Sequence, residues 1–405
     1  MTRRHRAEAT EARARTVLVR VTGRDRPGIT AGLLHILDEA GAAVEDMEQI
    51  VLHGRLNLGL EVIVPGGRDL LKELLLFGWE HEIEIGFEVA EEPVEARPLG
   101  HVVTIVGERL GPDALGMVAD AVAAGGANIE RIARLARYPV WSYELLVSGG
   151  DPTEIRTSLL TAGAAHRGVE VAVQAEGLSR RAQRLVVIDV DSTLIQDEVI
   201  DMVAEAAGVG EEVAGLTERA MAGELDYEAS LRQRVRLLAG TDASVLERVA
   251  ERVRLTAGAA TFIRTLQRLG FATAAVSGGF LEVVEPLRRR LGIDHAHANS
   301  LEVVDGRLTG ELVGEVVDRA GKARLLERIA VDEGVPLEQV VAIGDGANDV
   351  DMLAVAGLGI AFNARPVVKE AADATLSVPY LDAVLFLLGV RREEIEAADA
   401  TSGNS

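Results

Sequence analysis

The strongest constraint on the fold of this chain is an internal repeat within residues 16–175. The first part of the repeat has a β-branched apolar run, a stretch with apolar residues at helical spacing, and two strand-like runs that meet at Gly54. A second helical stretch and another strand follow, and residues 101–175 then repeat the same order. Gly23 and Gly107 hold equivalent strand ends in the two copies. The pattern predicts two successive modules with the order β-α-β-β-α-β.

This order is the ferredoxin-like arrangement, and we place the two modules at 16–92 and 100–176. The segment EEPVEARPLG between them is typical of a linker. Residues 1–15 are rich in arginine but contain no apolar segment, so we interpret them as a disordered tail and not as a secretory signal. The polar residues 391–405 are interpreted as a second tail.

The sequence pattern changes at Leu185. Amphipathic helical stretches alternate with four apolar strand-like runs, at 185–190, 271–276, 340–344 and 358–362. Such runs predict a parallel sheet that is covered by helices on both faces, and hence an α/β domain over 185–390. About 80 residues of helical pattern separate the first two strands, more than one crossover helix needs. The excess predicts a helical cap inserted at roughly 197–265.

Composition excludes several classes of protein. The net charge is −22, from 64 acidic and 42 basic residues, which argues against binding to nucleic acid or to an anionic membrane. It leaves anionic small molecules possible, because a pocket can be locally cationic. The chain has no cysteine, which rules out disulfides and thiolate chemistry and fits a reducing cytoplasm. No apolar run approaches the ~18 residues of a membrane span.

Residues suited to catalysis follow three of the predicted strands. Ligands of open α/β sheets bind outside the carboxyl ends of the strands, so these residues are expected to meet. They are Asp189 and Asp191 after the first strand, Ser277 with Gly278 and Gly279 after the second, Asp345 with Asn348 and Asp349 after the third, and Lys322 near the start of the helical segment GKARLLERI.

Together these groups suit phosphoryl transfer. Carboxylates that converge at one sheet edge repel one another unless a cation is present, and oxygen ligands favour Mg²⁺. Ser277 and the amides that follow it at a helix N-terminus suit a phosphate, and Lys322 adds a compact positive charge. An aspartate beside the ion can attack phosphorus as a nucleophile. A second carboxyl group two residues away can protonate the leaving oxygen and then activate water.

The set of motifs resembles the haloacid dehalogenase superfamily of phosphotransferases. DVDST at 189–193 matches its DxDxT motif, and Ser277, Lys322 and the segment from Asp345 to Asp349 match its later motifs in order. The resemblance implies a Rossmann-like core with Asp189 as nucleophile and Asp191 as proton donor. It also implies Mg²⁺ held by Asp189, the backbone carbonyl of Asp191, and Asp345, with Asp349 in support. Ser277 and Lys322 would stabilise the phosphoryl oxygens.

A closer resemblance is to the phosphoserine phosphatases, carried by DVDSTLIQDE and RAMAGELDYEASLRQRV. It implies hydrolysis of O-phospho-L-serine, the last step of serine biosynthesis, with Arg234 on the substrate carboxylate and Glu198 on its ammonium. Further substrate contacts fall on Met221, Tyr227, Gly278, Gly279 and Asn348. Tyr227 stands where phenylalanine is usual, and Val190 where phenylalanine or methionine is common. Neither departure removes a catalytic group.

The repeated N-terminal modules resemble ACT domains, which in several enzymes of amino-acid pathways pair between subunits and bind an amino acid. This resemblance implies a homodimer or homotetramer and L-serine as an effector. Candidate effector residues are Gly23, Asp25, Gly107 and Asn128.

Other interpretations of these residues remain open. Asp189 and Asp191 could be turn residues, and the segment from Asp345 could be a helix cap. Glu198 and Arg234 could lie on a solvated face, while Met221 and Tyr227 could belong to the core of the cap. At the level of function, the alternatives are a phosphatase for another ester or a phosphoprotein, and a non-catalytic amino-acid sensor. The intact catalytic set favours an enzyme.

Overall fold

The computed structural model describes residues 15–65, 70–89, 100–165, 168–221 and 226–402. Of the predicted tail at 1–15, only Arg15 lies within these ranges. Most of the predicted linker also lies outside them. The chain forms two compact units that divide between Arg97 and Pro98, and each is described by itself. Within the described ranges, no helix has both the length and the apolar character that crossing a membrane requires.

The first unit is a four-stranded antiparallel sheet packed against two helices. Its elements are β1 (Arg15–Arg24), α1 (Ile29–Glu39), β2 (Ala43–Leu52), β3 (Arg55–Val64), α2 (Leu70–His81) and β4 (Ile83–Val89), in the sheet order β2-β3-β1-β4. Side chains alternate between the faces of a strand, so Val17, Val19 and Val21 of β1 point to the core. They pack with Leu33 of α1 and Leu74 of α2.

The second unit begins with the same topology. Its elements are β5 (His101–Gly107), α3 (Pro112–Ala124), β6 (Ala127–Ala136), β7 (Trp141–Gly149), α4 (Pro152–Ala165) and β8 (Val169–Ala175), in the sheet order β6-β7-β5-β8. The prediction of two β-α-β-β-α-β modules is therefore confirmed. The glycines at the ends of β1 and β5 have a packing role in both copies. A Cβ on Gly23 would lie 2.6 Å from Ile83, and one on Gly107 would lie 2.7 Å from the carbonyl oxygen of Gly168.

The C-terminal domain is built on a seven-stranded sheet with the order β12-β11-β10-β9-β13-β14-β15. All pairings are parallel except that of β12 with β11. The strands are β9 (Leu185–Asp189), β10 (Ala272–Phe280), β11 (His295–Val304), β12 (Arg307–Val313), β13 (Val340–Gly344), β14 (Leu358–Phe362) and β15 (Ala374–Leu376). The central strands β9 and β13 are buried along their whole length, because helices cover both faces of the sheet.

Helices precede, interrupt and follow this sheet. They are α5 (Leu178–Arg181), α6 (Val199–Ala207), α7 (Gly210–Met221), α8 (Tyr227–Arg236), α9 (Ser244–Arg252), α10 (Ala259–Arg268), α11 (Leu281–Leu291), α12 (Arg319–Asp332), α13 (Val350–Val355), α14 (Pro366–Ala371), α15 (Val384–Leu387) and α16 (Arg392–Ser402). The predicted α/β class, with a parallel sheet and a helical insertion after the first strand, is confirmed.

The helical insertion ends earlier than the sequence pattern indicates. An antiparallel bridge joins Ile195 to Leu255, and the amide of Gln196 donates to the carbonyl of Arg254 at 2.9 Å. These contacts close the neck of an insertion that contains α6 to α9. Helix α10 follows the neck and contacts β10, so it belongs to the layer that covers the sheet. Helical periodicity continues across the neck, which is why the expected limit of 265 is about ten residues too late.

The expected polar tail at 391–405 is wrong over 392–402, where the structure has helix α16. Its Ile395 is buried, and Arg392 forms an ion pair with the buried Asp382 at 2.7 Å. Near the other end, Asp399 pairs with Arg264 and Arg268 of α10. A polar helix with a single apolar anchor has little periodic signal, so the sequence pattern gave no reason to expect it.

The sheet of the second module packs against the C-terminal domain. Val106, Val140 and Ala172 belong to the same apolar cluster as the helices of that domain. The side chain of Gln174 donates to the carbonyl of Leu387 at 2.9 Å. The corresponding face of the first module carries polar side chains, among them the exposed pair Arg20–Glu88.

Candidate active site

Three motif-bearing strand ends meet at one edge of the large sheet. Strand β9 ends at Asp189, β10 contains Ser277, and Asp345 follows β13 directly. Since β10, β9 and β13 are adjacent and parallel, their carboxyl ends lie side by side. Carboxylate oxygens of Asp189, Asp345 and Asp349 all fall within 4.8 Å of one another. The structure thus brings together the acidic residues that the sequence analysis selected.

Lys322 lies at the centre of these carboxylates. Its side chain is fully buried, contacts Asp189 Oδ1, and donates to Asp349 Oδ1 at 2.7 Å. Burial disfavours the charged amine, but the carboxylates of Asp189 and Asp349 outweigh that effect and hold the pKa of Lys322 above its usual value. Asp349 also accepts a hydrogen bond from the amide of Gly346 at 3.0 Å. Asp349 therefore fixes Lys322 and the loop after β13 in one arrangement.

The carboxylates perturb one another strongly. Burial and then the charge of Asp349 raise the pKa of Asp189 well above its usual value, against the opposing effect of Lys322. Burial and Asp349 also raise the pKa of Asp345 to about 6, while Thr193 donates to Asp345 at 3.2 Å. Buried oxygens that raise one another's pKa favour a hard divalent cation among them. The donor set therefore fits such an ion.

Asp191 is held by two hydrogen bonds. Its Oδ1 accepts from the amide of Val199 at 2.7 Å, and its Oδ2 accepts from the hydroxyl of Ser277 at 2.6 Å. Ser277 accepts in turn from the amide of Gly279 at 2.7 Å. A Cβ on Gly279 would lie 2.9 Å from Ser277 Oγ and 3.1 Å from Asp191 Oδ2, so only glycine fits at this close approach. The resemblance assigns Ser277 to phosphoryl oxygens, whereas here its hydroxyl faces Asp191.

A cavity of about 510 Å³ lies above these groups. We call Asp189, Asp191, Lys322, Asp345 and Asp349 the cavity floor. The residues Glu198, Tyr227 and Arg234, which line the cavity from the inserted helices and their N-terminal end, are called the cap side. Gly278, Gly279 and Asn348 also line the cavity, whereas Ser277, Lys322 and Asp349 lie behind its surface and are fully buried.

The cap side is less tightly paired than the floor. Burial and then Asp191 raise the pKa of Glu198 to about 7, although Ser192 donates to it at 2.8 Å. Burial raises the pKa of Tyr227 to about 12, and its hydroxyl lies 3.5 Å from the carbonyl of Gly278. Among the described residues, the one hydrogen-bond acceptor of Arg234 is the carbonyl of Ser230 on its own helix, at 3.4 Å. Met221 ends α7, but its side chain lies outside the described part of the structure.

Two residues of the site escaped the sequence analysis. Asn299 on β11 is buried, donates to the carbonyl of Gly278 at 2.8 Å, and accepts from the amide of Val317 at 2.8 Å. It thereby ties the loop after Ser277 to the segment that leads into α12. Arg365, which follows β14, lines the cavity. The rule that ligands bind at the carboxyl ends of strands would have identified Arg365, had it been applied to this fourth strand.

The candidate effector residues are placed but not tested by the structure. Gly23 and Gly107 are explained by close packing, as described above. The amide of Asp25 donates to the carbonyl of Gly54 at 2.8 Å, which joins the segment after β1 to the turn between β2 and β3. Asn128 is exposed and donates to Glu130 at 3.0 Å. Binding of an amino acid at these positions stays a prediction.

Comparison with known proteins agrees with this architecture. Residues 186–354 match the model of the haloacid dehalogenase-like hydrolases, and residues 15–88 and 100–174 each match a model of the ACT domain. The chain is 54% identical to a phosphoserine phosphatase of Streptomyces coelicolor, with 95% of this chain and 94% of that protein covered. It is 48% identical to phosphoserine phosphatase SerB2 of Mycobacterium tuberculosis, with 95% and 96% covered.

A solved structure extends the comparison. The unliganded crystal structure of a probable phosphoserine phosphatase from Vibrio cholerae superposes with a TM-score of 0.55 at 34% identity, covering 71% of this chain and 86% of that one. The relatives from Streptomyces coelicolor and Mycobacterium tuberculosis match across both ACT modules and the catalytic domain together. This chain therefore belongs to the phosphoserine phosphatase family of haloacid dehalogenase-like hydrolases, with two ACT domains before its catalytic domain.

Proposed function

We propose that this enzyme hydrolyses O-phospho-L-serine to L-serine and phosphate through an aspartyl-phosphate on Asp189. The observation that supports the proposal most is the shared cavity. Asp189, Asp191 and Asp345 line it, and so do Glu198 and Arg234. An anionic and a cationic side chain in the same cavity as the reacting groups suit a zwitterionic amino acid ester. A sugar phosphate has no group for either charge.

Mg²⁺ is the cofactor we propose, held by Asp189, Asp345 and the backbone carbonyl of Asp191, with Asp349 in support. When bound, it would neutralise the carboxylates and the phosphoryl oxygens. The other roles in the reaction belong to residues of the chain itself. Lys322 contacts and fixes the Asp189 carboxylate, while Ser277, which accepts from the Gly279 amide and donates to Asp191, positions the proton carrier.

The proposed reaction has two steps that share one proton carrier. In the first, a carboxylate oxygen of Asp189 bonds to phosphorus, the bond from phosphorus to the serine oxygen breaks, and protonated Asp191 gives its proton to that oxygen. In the second, water attacks phosphorus, gives a proton to Asp191, and releases phosphate and the Asp189 carboxylate. The hydrogen bonds from Val199 and Ser277 keep Asp191 in place for both transfers.

The test is a phosphate-release assay with phosphoserine, with Mg²⁺ and with excess chelator. We expect Asp189→Asn to abolish turnover, while Asp120→Asn, a change of an exposed aspartate on α3, keeps it. A panel of sugar phosphates and phosphopeptides tests the alternative substrates. Retained turnover in Asp189→Asn would refute the nucleophile, and faster turnover of another ester would refute the substrate.

We also propose that the ACT domains bind L-serine and pair between subunits. The support is the match of both modules to the ACT domain. Calorimetric titration of the full chain with serine, alongside its inhibition of turnover, tests the effector. Light scattering tests the expected dimer or tetramer. A serine titration with neither heat nor inhibition, or a monomer at all concentrations, would contradict the respective part.

A further inference from the structure

The cavity needs positive charge that its floor does not supply. The floor holds four carboxylates against the single ammonium of Lys322, and that ammonium is already bonded to Asp189 and Asp349. With Asp191 protonated, as the proposed first step requires, a divalent cation and Lys322 would only balance the three remaining carboxylates and leave no net positive charge for a phosphoryl dianion. The whole chain, at −22, also repels an anionic substrate. Some other cation must therefore favour entry of the ester.

Two permanently charged cations line the cavity among the residues that the structure describes, Arg234 and Arg365. Arg234 lies on α8 at the cap side, and in the proposed function it binds the substrate carboxylate. Arg365 also lines the cavity and follows β14, which pairs in parallel with β13 so that Ala361 lies beside Gly344, next to the loop that begins at Asp345. It thus borders the loop of the floor, where the phosphoryl group would lie.

The position of Arg365 is fixed by its neighbours. Asn363, in a left-handed conformation with φ 48°, donates its backbone amide to the carbonyl of Leu376 at 2.8 Å and its Nδ2 to the carbonyl of Val378 at 3.0 Å. Ala364 is buried, and Pro366 begins α14. The backbone of Arg365 is held between these two anchors, so the side chain starts from a defined point at the cavity rim.

The guanidinium of Arg365 has no hydrogen bond or ion pair with any described residue. Arg365 is exposed, so its charge can meet an anion that enters the cavity. We propose that Arg365 is a substrate-binding residue that attracts the phosphoryl dianion of the substrate and binds it beside the loop after β13. The inference rests on the proposed function for its physiological substrate, but any phosphate monoester that reaches the floor would use the same cation.

The experiment compares Arg365→Gln, Arg365→Lys and a matched control, Arg290→Gln. Arg290 is exposed on α11, lies outside the cavity lining, and carries the same charge. Initial rates are measured with phosphoserine and with p-nitrophenyl phosphate, which has no carboxylate or ammonium, at about 20 mM and about 500 mM NaCl. We expect Arg365→Gln to lower kcat/KM about tenfold for both esters at low salt, mainly through KM. The difference should shrink at high salt, and Arg365→Lys should restore most of it.

Other outcomes separate the two proposals. If Arg365→Gln matches Arg290→Gln with both esters, or if the loss falls on kcat alone, the role of Arg365 is refuted. A loss confined to phosphoserine would refute its assignment to the phosphoryl group, because p-nitrophenyl phosphate shares that group. If the wild-type enzyme does not hydrolyse phosphoserine, the proposed function fails, and p-nitrophenyl phosphate still decides the role of Arg365.

Discussion

The cavity floor and the cap side contain similar charged groups in opposite states. On the floor, Lys322 and Asp349 are fully buried and bonded to each other. On the cap side, the hydrogen bonds within the described ranges are fewer: Arg234 donates to a carbonyl of its own helix, and Glu198 accepts from a hydroxyl. A buried charge in an ion pair is fixed before substrate arrives, whereas a charge without an ion pair can bind one. In the proposed function, the floor therefore serves the chemistry of any phosphate ester, and the cap side serves the recognition of one.

The largest expected effect is on the floor. Lys322→Ala removes the cation between Asp189 and Asp349, so we expect turnover of phosphoserine and of p-nitrophenyl phosphate to fall about 10³-fold. It also leaves two buried carboxylates without their cation, which should lower the free energy of unfolding, measured in urea, by about 3–5 kcal/mol. The double variant Lys322→Met with Asp349→Asn should recover much of that stability but no activity. Recovery of activity would mean that Lys322 serves only to neutralise Asp349.

The next effect is on the cap side. Arg234→Gln removes the charge proposed for the substrate carboxylate, and such a hydrogen bond is worth about 10- to 100-fold in binding. We expect KM for phosphoserine to rise by that factor while KM for p-nitrophenyl phosphate stays within about twofold. The control is Arg232→Gln on the same helix, where Arg232 pairs with Glu228. An equal rise with both esters would break the distinction between the floor and the cap side.

The pH dependence of kcat/KM also distinguishes the cap side from the floor. The pKa of Glu198 is raised to about 7, so its carboxylate is charged above that pH and neutral below it. Only the charged form attracts an ammonium, and kcat/KM for phosphoserine should therefore fall about tenfold from pH 8 to pH 6. Glu198→Gln should lower kcat/KM for phosphoserine at pH 8 and remove its dependence on pH. Rates with p-nitrophenyl phosphate serve as the control, since that ester has no ammonium.

The smallest expected effect concerns the support beneath the floor. Asn299→Ala leaves the Gly278 carbonyl and the Val317 amide without their partner, which should cost about 1–3 kcal/mol of stability. Because Asn299 positions the floor and touches no substrate, kcat should fall severalfold and equally for both esters, with KM unchanged. Asn57→Ala, at an exposed position in the first module, is the control. A change in KM for phosphoserine alone would assign Asn299 to recognition.

The sequence was informative where a function depends on local order. Asp189, Asp191, Ser277 and Asp345 were all identified because each follows a continuous apolar strand, and parallel strands bring their carboxyl ends to one edge. Asn299 was missed because it lies within the pattern of β11 and acts through backbone groups distant in sequence. Arg365 carries no motif, and only its place after a fourth strand of the same sheet marks it as a candidate.

The two ACT modules show where the pattern stops being sufficient. Their repeat predicted the same β-α-β-β-α-β topology, and both copies have it. The sheet face that bears Val106 and Ala172 in the second copy is buried against the catalytic domain, whereas the first copy has the exposed pair Arg20–Glu88 on its sheet. Alternation of apolar and polar residues within a strand shows that the two faces of the sheet differ, but it does not show which neighbour covers each face.

The sequence by itself therefore determined the modules, the parallel sheet and the residues proposed for catalysis, because these follow from periodicity and from the order of strands. Only the tertiary structure decided that the insertion closes at Ile195 and Leu255, that residues 392–402 form a docked helix, and which charges are paired. Those properties arise from contacts between residues far apart in the chain, and the energy of a charge depends on what surrounds it and not on its place in a motif.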